Sequence, residues 1–102
     1  MKLKLDQITF IIVTFKSESI IYNCLNSLPN ESKKIIVENS SNINLENELK
    51  SKYDNIEVIL SKNIGMGAGN NIGIKSCKTK YAYVLNPDTT LYQSTLKNLI
   101  KE

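Results

Sequence analysis

Four short apolar runs alternate along the chain with stretches in which apolar residues recur at helical spacing. The runs cover residues 8–15, 34–38, 56–60 and 81–85 and are rich in β-branched and aromatic side chains. Continuous runs of this length are typical of strands buried on both faces of a parallel sheet. The alternation predicts βαβ units, and therefore an α/β fold of the Rossmann-like, three-layer α/β/α class. We expect a mostly parallel four-stranded sheet in the order 3-2-1-4.

The segments between and after the runs predict helices. The first is expected to begin at Ser17, a residue type that caps helix N-termini, with Glu18 in its first turn, and to end at Pro29. The third follows a glycine-rich turn at residues 63–69. Apolar positions at helical spacing mark the four helices: Ile20, Ile21, Cys24, Leu25 and Leu28; Leu45, Leu49 and Tyr53; Ala68, Ile72 and Cys77; Leu91, Leu96, Leu99 and Ile100.

Composition adds limits to this picture. A length of 102 residues, with 41% hydrophobic and 23% charged residues, predicts one globular domain over residues 1–102. The net charge of +3 comes from scattered lysines without arginine, so no nucleic-acid surface is predicted. The N-terminus is too polar for a signal sequence, and the run 8–15 is too short to span a bilayer. We expect a cytoplasmic protein, with any contact to the inner face of the membrane made through a partner.

The residue types available also restrict the chemistry. Histidine is absent, which excludes a histidine-based triad and disfavours a transition-metal site. The two cysteines, Cys24 and Cys77, are far apart in the chain and form neither a disulfide framework nor a zinc motif. We predict that both are free thiols facing the core, which fits a reducing compartment.

Polar residues follow each predicted strand and should gather at one edge of the sheet. In the order 3-2-1-4, strands one and four are neighbours at the point where the winding direction changes, and ligands bind in the crevice there. Phe15 and Asp88 are expected to flank this crevice, with Glu38 next along the edge. A carboxylate at a strand end can hold a divalent cation against a diphosphate, so a nucleotide site is predicted.

Three other nucleotide- or phosphate-handling folds fit the sequence less well. A dinucleotide-binding Rossmann site needs G-x-G-x-x-G after the first strand, but residues 14–18 contain no glycine and the glycines at 67–73 have one residue too many. No glycine is followed by Lys-Ser or Lys-Thr at the spacing of a P-loop. A receiver-type domain is disfavoured because strand three ends on residues 61–63, which contain no aspartate.

Four segments together resemble the motifs of a known family. They read IIVTFKS at 11–17, IIVENSS at 35–41, NIGMGAGNNIG at 63–73 and LNPDT at 85–89. In this order they resemble the motifs of family 2 glycosyltransferases, especially the rhamnosyltransferase-like branch, whose last motif also reads Asn-Pro-Asp. The resemblance covers about residues 8–100.

The resemblance implies a glycosyltransferase-A fold and inverting transfer of a sugar from a nucleoside diphosphate to a glycan or lipid-linked acceptor. It implies Mg²⁺ or Mn²⁺ as cofactor, with Asp88 as the metal ligand. The residues that it implies for donor binding are Thr14, Phe15, Glu38, Asn39, Asn63, Gly65, Asn71 and Asn86.

This chain also departs from the family pattern. Glu38 stands where aspartate is usual, Lys16 where asparagine is common, and Asn86 where the first acid of the metal motif is expected. The acceptor-binding half that supplies the general base is absent from these 102 residues, so no catalytic residue is assigned. The alternative is a non-catalytic or truncated module that binds a nucleotide or a protein partner. Without its covering half, the sheet is expected to expose an edge that favours self-association.

Overall fold

The computed structural model describes residues 4–92 of the chain. The elements begin with a short 3-10 turn, after which strands and helices alternate as predicted. Their bounds are Leu5–Gln7 (3-10), Ile8–Thr14 (β1), Ile21–Asn26 (α1), Lys33–Glu38 (β2), Ile43–Lys52 (α2), Ile56–Leu60 (β3), Met66–Ser76 (α3) and Tyr81–Leu85 (β4). The predicted fourth helix falls mainly on residues 93–102, outside the described part. None of the described helices is long and apolar enough to cross a membrane.

The four strands form one fully parallel sheet in the order β3-β2-β1-β4. This confirms the predicted order. The register aligns Ile11 of β1 with Ile35 of β2 and Val84 of β4. Because β1 lies between β2 and β4, all seven of its residues are buried. That burial explains why its sequence is an uninterrupted apolar and β-branched run.

Side chains alternate between the two faces of the sheet, and each face has its own core. On one face Phe10, Ile12 and Ile36 pack with buried residues of α1 and α2. On the other face Ile11 and Val37 pack with residues that include Ile72 of α3. The helices therefore lie on both sides of the sheet, which confirms the three-layer arrangement.

The first helix begins later than predicted. It starts at Ile21, and Ser17 does not cap it with its side chain. Instead the Ser17 hydroxyl accepts a hydrogen bond from the Phe15 N–H at 3.2 Å, and the Ser17 carbonyl accepts from the N–H of Ile20 and Ile21. The hydroxyl thus stabilises a turn after β1 instead of a helix terminus. This helix also ends at Asn26, before Pro29 is reached.

The third helix lies very close to the centre of the sheet. A Cβ atom added to Gly73 would stand 2.3 Å from Ile11 Cγ2, and one added to Gly69 would stand 2.8 Å from Val13 Cγ1. Real Cβ atoms do not approach other atoms so closely, so these two positions require glycine. By contrast, a Cβ at Gly67 would meet nothing within 4 Å.

We therefore predict opposite effects for two glycine substitutions in the same helix. Gly73→Ala should lower the free energy of unfolding by about 2 kcal/mol, because Ile11 is fully buried and its branched side chain has few rotamers. Gly67→Ala should raise it by roughly 0.5 kcal/mol, because alanine restricts the unfolded chain and forms helix better. Urea-induced unfolding followed by circular dichroism measures both, and equal effects would contradict the packing argument.

Candidate functional site

The carboxyl ends of all four parallel strands lie on the same edge of the sheet. The loops that follow them cover residues 15–20, 39–42, 61–65 and 86–90. Two backbone hydrogen bonds continue the pairing beyond the strands: Asn39 N–H donates to the Thr14 carbonyl at 2.8 Å, and Ser61 N–H donates to the Glu38 carbonyl at 2.9 Å. These bonds fix the positions of the first three loops relative to one another.

Glu38 ends β2 with its side chain completely buried. Its carboxylate accepts hydrogen bonds from the Thr14 hydroxyl at 3.0 Å, from the Ser40 hydroxyl and N–H, and from the Asn42 N–H at 2.8 Å. Asn42 in turn caps α2 by accepting from Leu45 N–H at 3.0 Å. The predicted base-binding acid is therefore saturated by the protein itself, and it links β1, β2 and the start of α2.

The neighbouring Asn39 is also buried, with 2% of its surface exposed. Its Nδ2 donates to the Gly65 carbonyl at 3.2 Å, which ties the loop after β2 to the start of α3. Its Oδ1 is buried and has no hydrogen-bond partner among the described residues. A buried acceptor without a partner is rare in folded proteins and is often explained by a water or a ligand.

The loop after β1 carries an exposed aromatic side chain at this edge. Phe15 is 44% exposed, immediately beyond the last residue of the central strand. The ammonium group of Lys16 lies 5.4 Å from the centre of the Phe15 ring, within the range of a cation–π contact. Lys16 itself has a positive φ of 52°, a backbone conformation that non-glycine residues adopt infrequently.

The loop after β4 brings Asn86 and Asp88 to the neighbouring position. Both are exposed. The Asn86 carbonyl accepts from the Thr89 N–H at 3.0 Å and from the thiol of Cys24 at 3.8 Å. Burial, together with the negative charge of Asp88, raises the pKa of the Cys24 thiol to about 11. The α1 helix and the Asn-Pro-Asp loop are thus in direct contact.

The remaining predicted donor residues come from α3 and the loop before it. Asn63 and Gly65 are exposed at the same edge, and Gly65 has a φ of 85°, which favours glycine. Asn71 is different: it is exposed on α3 two positions from Gly69, which faces the sheet, so it lies on the opposite, solvent-facing side of the helix. The structure therefore brings all the predicted residues to the carboxyl edge except Asn71.

Two groups of residues at this edge were not assigned from the sequence. Ser40 and Asn42 hold the Glu38 carboxylate, and the polar cluster that follows β2 was a usable signal, because such residues bond nearby backbone and side-chain groups. For Lys16 the sequence shows only that lysine stands where asparagine is common in the family. Its positive φ and its contact with Phe15 depend on three-dimensional structure and have no local sequence signature.

The described residues contain few side chains that could bind a metal ion. No three histidine, cysteine, aspartate or glutamate side chains of residues 4–92 come together in a way that could hold an ion. Glu38 is occupied by hydrogen bonds and Glu18 accepts one from Asn42 Nδ2, so Asp88 is the exposed acid of these loops that has no hydrogen bond among the described residues. Magnesium is often held by one or two carboxylates together with substrate phosphates. The residues therefore fit a cation that binds together with a phosphorylated ligand.

A cavity of about 270 Å³ lies at the opposite, amino end of the strands. Its lining comes from the starts of β1, β2 and β3 and from the end of α3: Thr9, Lys33, Lys34, Ile35, Asn55, Ile56, Glu57, Ser76 and Lys78. Cys77, at the end of α3, is a free thiol that packs against the core as predicted, but it is only partly buried. Burial raises its pKa, but hydrogen bonds with Thr79 and Thr9 outweigh this and leave the pKa lowered.

Comparison with known families decides the class of the protein. Residues 9–102 match the family described as Glycosyl transferase family 2. The chain belongs to this family. The match confirms the family that the four motifs predicted, while the rhamnosyltransferase-like branch stays a prediction.

Two curated relatives of this family 2 chain are glycosyltransferases. The low-salt glycan biosynthesis hexosyltransferase Agl10 of Haloferax volcanii is 32% identical over 100 residues, covering 93% of this chain and 32% of that protein. The poly(ribitol-phosphate) beta-glucosyltransferase of Bacillus spizizenii is 31% identical over 94 residues, covering 80% of this chain and 15% of that protein. The chain therefore spans a third or less of the length of these relatives.

Solved structures show the same fold. The structure of S. aureus TarS residues 1–349 superposes with a TM-score of 0.72 at 22% identity, covering 89% of this chain and 30% of that one. The same TarS fragment in complex with UDP gives the same TM-score and coverage. The predicted glycosyltransferase-A fold is confirmed for the part of the chain that is covered.

The hydrogen bonds of Glu38 lead to a stability prediction for this family 2 domain. Glu38→Gln should lower the free energy of unfolding by about 2 kcal/mol, because an amide group replaces one acceptor oxygen among buried donors. Glu57→Gln makes the same change at an exposed position of β3 and should alter stability by less than about 0.5 kcal/mol. Urea unfolding of the two variants checks this, and a Glu38→Gln variant as stable as Glu57→Gln would contradict a structural role.

Proposed function

We propose that this chain is the donor-binding part of an inverting glycosyltransferase and binds a nucleoside-diphosphate sugar at the carboxyl edge of its sheet. The observation that carries this is that the loop with Phe15 and the loop with Asn86 and Asp88 follow the neighbouring strands β1 and β4 of a family 2 domain. A crevice between two such strands is where ligands bind in open α/β sheets. The UDP complex of the structural neighbour TarS supports a nucleotide donor.

Each predicted donor residue has a specific part in this proposal. The exposed ring of Phe15 offers a surface on which the nucleoside base can stack, and the unpartnered Oδ1 of Asn39 offers an acceptor close by. Thr14 and Glu38 are buried and hydrogen-bonded to each other, so they stabilise the edge and contribute to binding only indirectly. Asn63 and Gly65 border the site at the start of α3, and Asn86 borders it from β4. Asn71 contributes only through the helix that carries it.

We propose that Mg²⁺ or Mn²⁺ accompanies the donor and is held by Asp88. The cation would neutralise charge on the diphosphate and its leaving group. With asparagine at position 86, the protein supplies a single exposed carboxylate here, so affinity for the free cation should be weak. The diphosphate would supply the other oxygen ligands.

The rest of the reaction is assigned to parts of a protein that these 102 residues do not include. The relatives are at least three times as long, and in the proposed enzyme the longer part would bind a glycan or lipid-linked acceptor and supply the general base. We propose a cytoplasmic location, with contact to the inner face of the membrane made through a partner. A chain acting alone would bind donor without turnover, which is the non-catalytic alternative.

Isothermal titration of the chain with UDP, GDP and dTDP tests the proposed function directly. We expect binding of at least one diphosphate, tighter with Mn²⁺ than with EDTA. Asp88→Asn should remove most of this metal dependence, by about tenfold in affinity, because the carboxylate is the proposed ligand of the cation. Asp54→Asn removes an exposed aspartate at the other end of the strands and should have no effect. Absence of binding to all three nucleotides would contradict the proposal.

We also propose that the chain self-associates through β4. This strand lies at the edge of the described sheet, contains no charged residue, and leaves Tyr81 and Val84 44% and 41% exposed. An apolar, uncharged edge strand is a template for pairing with another strand.

Light scattering over a range of concentrations checks this association. We expect a dimer whose population rises with concentration, and Val84→Lys should return the chain to a monomer because lysine blocks edge pairing. Ile43→Lys, at a 59% exposed position on α2, is the matched control and should leave association unchanged. A monomer at the highest concentration, or equal effects of both variants, would contradict pairing through β4.

A further inference from the structure

The loops at the carboxyl edge contain few charged side chains. In residues 15–20, 39–42, 61–65 and 86–90 the lysines are Lys16 and Lys62, and the acids are Glu18 and Asp88. Glu18 already accepts a hydrogen bond from Asn42 Nδ2 at 2.8 Å. A bound diphosphate would therefore meet two possible ammonium groups, and they follow different strands.

Strand order separates these two lysines clearly. Lys16 follows β1, which is hydrogen-bonded to β4, whereas Lys62 follows β3 at the far side of the sheet. With neighbouring strands about 4.8 Å apart, the tip of β1 is one spacing from the tip of β4 and the tip of β3 is about 15 Å from it. Of these two lysines, Lys16 is thus the nearer to the loop that contains Asn86 and Asp88.

Lys16 has an unusual backbone conformation and an exposed side chain. Lys16 has a φ of 52° and is exposed, with no carboxylate of the described residues within salt-bridge distance. Residues held in such conformations cluster at functional sites. Its ammonium group rests on the ring of Phe15, at the place where the base is proposed to stack. From there a phosphate group attached to the nucleoside lies within reach of a lysine side chain.

The α1 helix, which follows β1 in the chain, does not begin at its tip. The α1 helix has six residues and begins seven positions after the end of β1. In the turn between them, the N–H groups of Ile20 and Ile21 already donate to the Ser17 carbonyl. Besides the N-terminus of α3 at Gly65, positive charge beside β1 and β4 can come from a side chain or from a cation bound with the ligand.

From these observations we infer that Lys16 binds the diphosphate of the donor through its ammonium group. This inference rests on the proposed function and names a residue that specifies a phosphorylated ligand. Lys16 supplies positive charge on the β1 side of the crevice. The β4 side has one carboxylate fewer than the family motif, because residue 86 is asparagine. Donor binding then persists, although more weakly, when no divalent cation is present.

Titration of nucleoside diphosphates and of the matching nucleosides isolates this contact. The probes are UDP, GDP and dTDP with uridine, guanosine and thymidine, all in EDTA so that no divalent cation takes part. Lys16→Asn is the informative variant, because asparagine tolerates positive φ and so preserves the turn while removing the charge. Lys62→Asn removes the same charge from the same edge, three strands away from β4.

Lys16→Asn should weaken binding of the preferred diphosphate about tenfold and change binding of its nucleoside by less than about twofold, as expected for loss of one charge-assisted contact. Lys62→Asn should change neither. An equal loss of diphosphate affinity in both variants would overturn the inference, since it would indicate only a nonspecific effect of net charge. Loss of nucleoside and diphosphate binding together would assign Lys16 to the base instead.

Three further outcomes keep this test separate from the proposed function. If the unaltered chain binds a diphosphate and Lys16→Asn binds it equally well, the inference on Lys16 fails while the donor site stands. If the unaltered chain binds neither a diphosphate nor a nucleoside, with Mn²⁺ as well as in EDTA, the proposed function fails and this inference fails with it. If it binds a diphosphate with Mn²⁺ but not in EDTA, the inference on Lys16 fails while the donor site stands. The thermal unfolding midpoint of Lys16→Asn should equal or exceed that of the unaltered chain, which excludes a folding defect.

Discussion

The buried carboxylate of Glu38 accepts hydrogen bonds from the last residue of β1, from the loop after β2 and from the residue that caps α2. Taking a charge out of water is costly unless donors surround it, and here four donors do so. Because β1 is also paired with β4, holding the tips of β1 and β2 together orders the whole carboxyl edge. The exposed Phe15 and Asp88 depend on this order for their relative positions.

Most of the fold could be predicted from the sequence because its strands are short, apolar and separated by clear helical patterns. β3 and β4 have the predicted bounds, and β1 and β2 each differ by one residue. The start of α1 was wrong, because Ser17 is a residue type that serves equally in a helix cap and in a turn, and the local sequence does not distinguish the two. The choice depends on the course of the chain after β1.

The site could be predicted at the level of loops but not at the level of individual contacts. Parallel strands guarantee that the polar segments meet, and the motif order identified the family. The hydrogen bonds of buried polar groups could not be predicted from the sequence. Glu38 and Asn39 are adjacent, yet the Glu38 carboxylate is saturated with hydrogen bonds while Asn39 Oδ1 has no described partner. In the glycine segment, Gly69 and Gly73 serve helix–strand packing, whereas Gly65 alone has the positive φ that the turn requires. Sequence spacing does not separate these roles.

The distribution of charge connects the fold to the chemistry. A diphosphate brings two or more negative charges to an edge where α1 begins seven residues after β1 and where residue 86 has an amide side chain. A cation held by Asp88 and the ammonium of Lys16 would approach the diphosphate from β4 and β1 respectively, the two strands that form the crevice. If each supplies part of the compensation, asparagine in place of the first acid of the motif weakens the metal contact without abolishing donor binding. The unusual backbone conformation of Lys16 then serves to hold an ammonium group where the metal contact is weakened by the missing carboxylate.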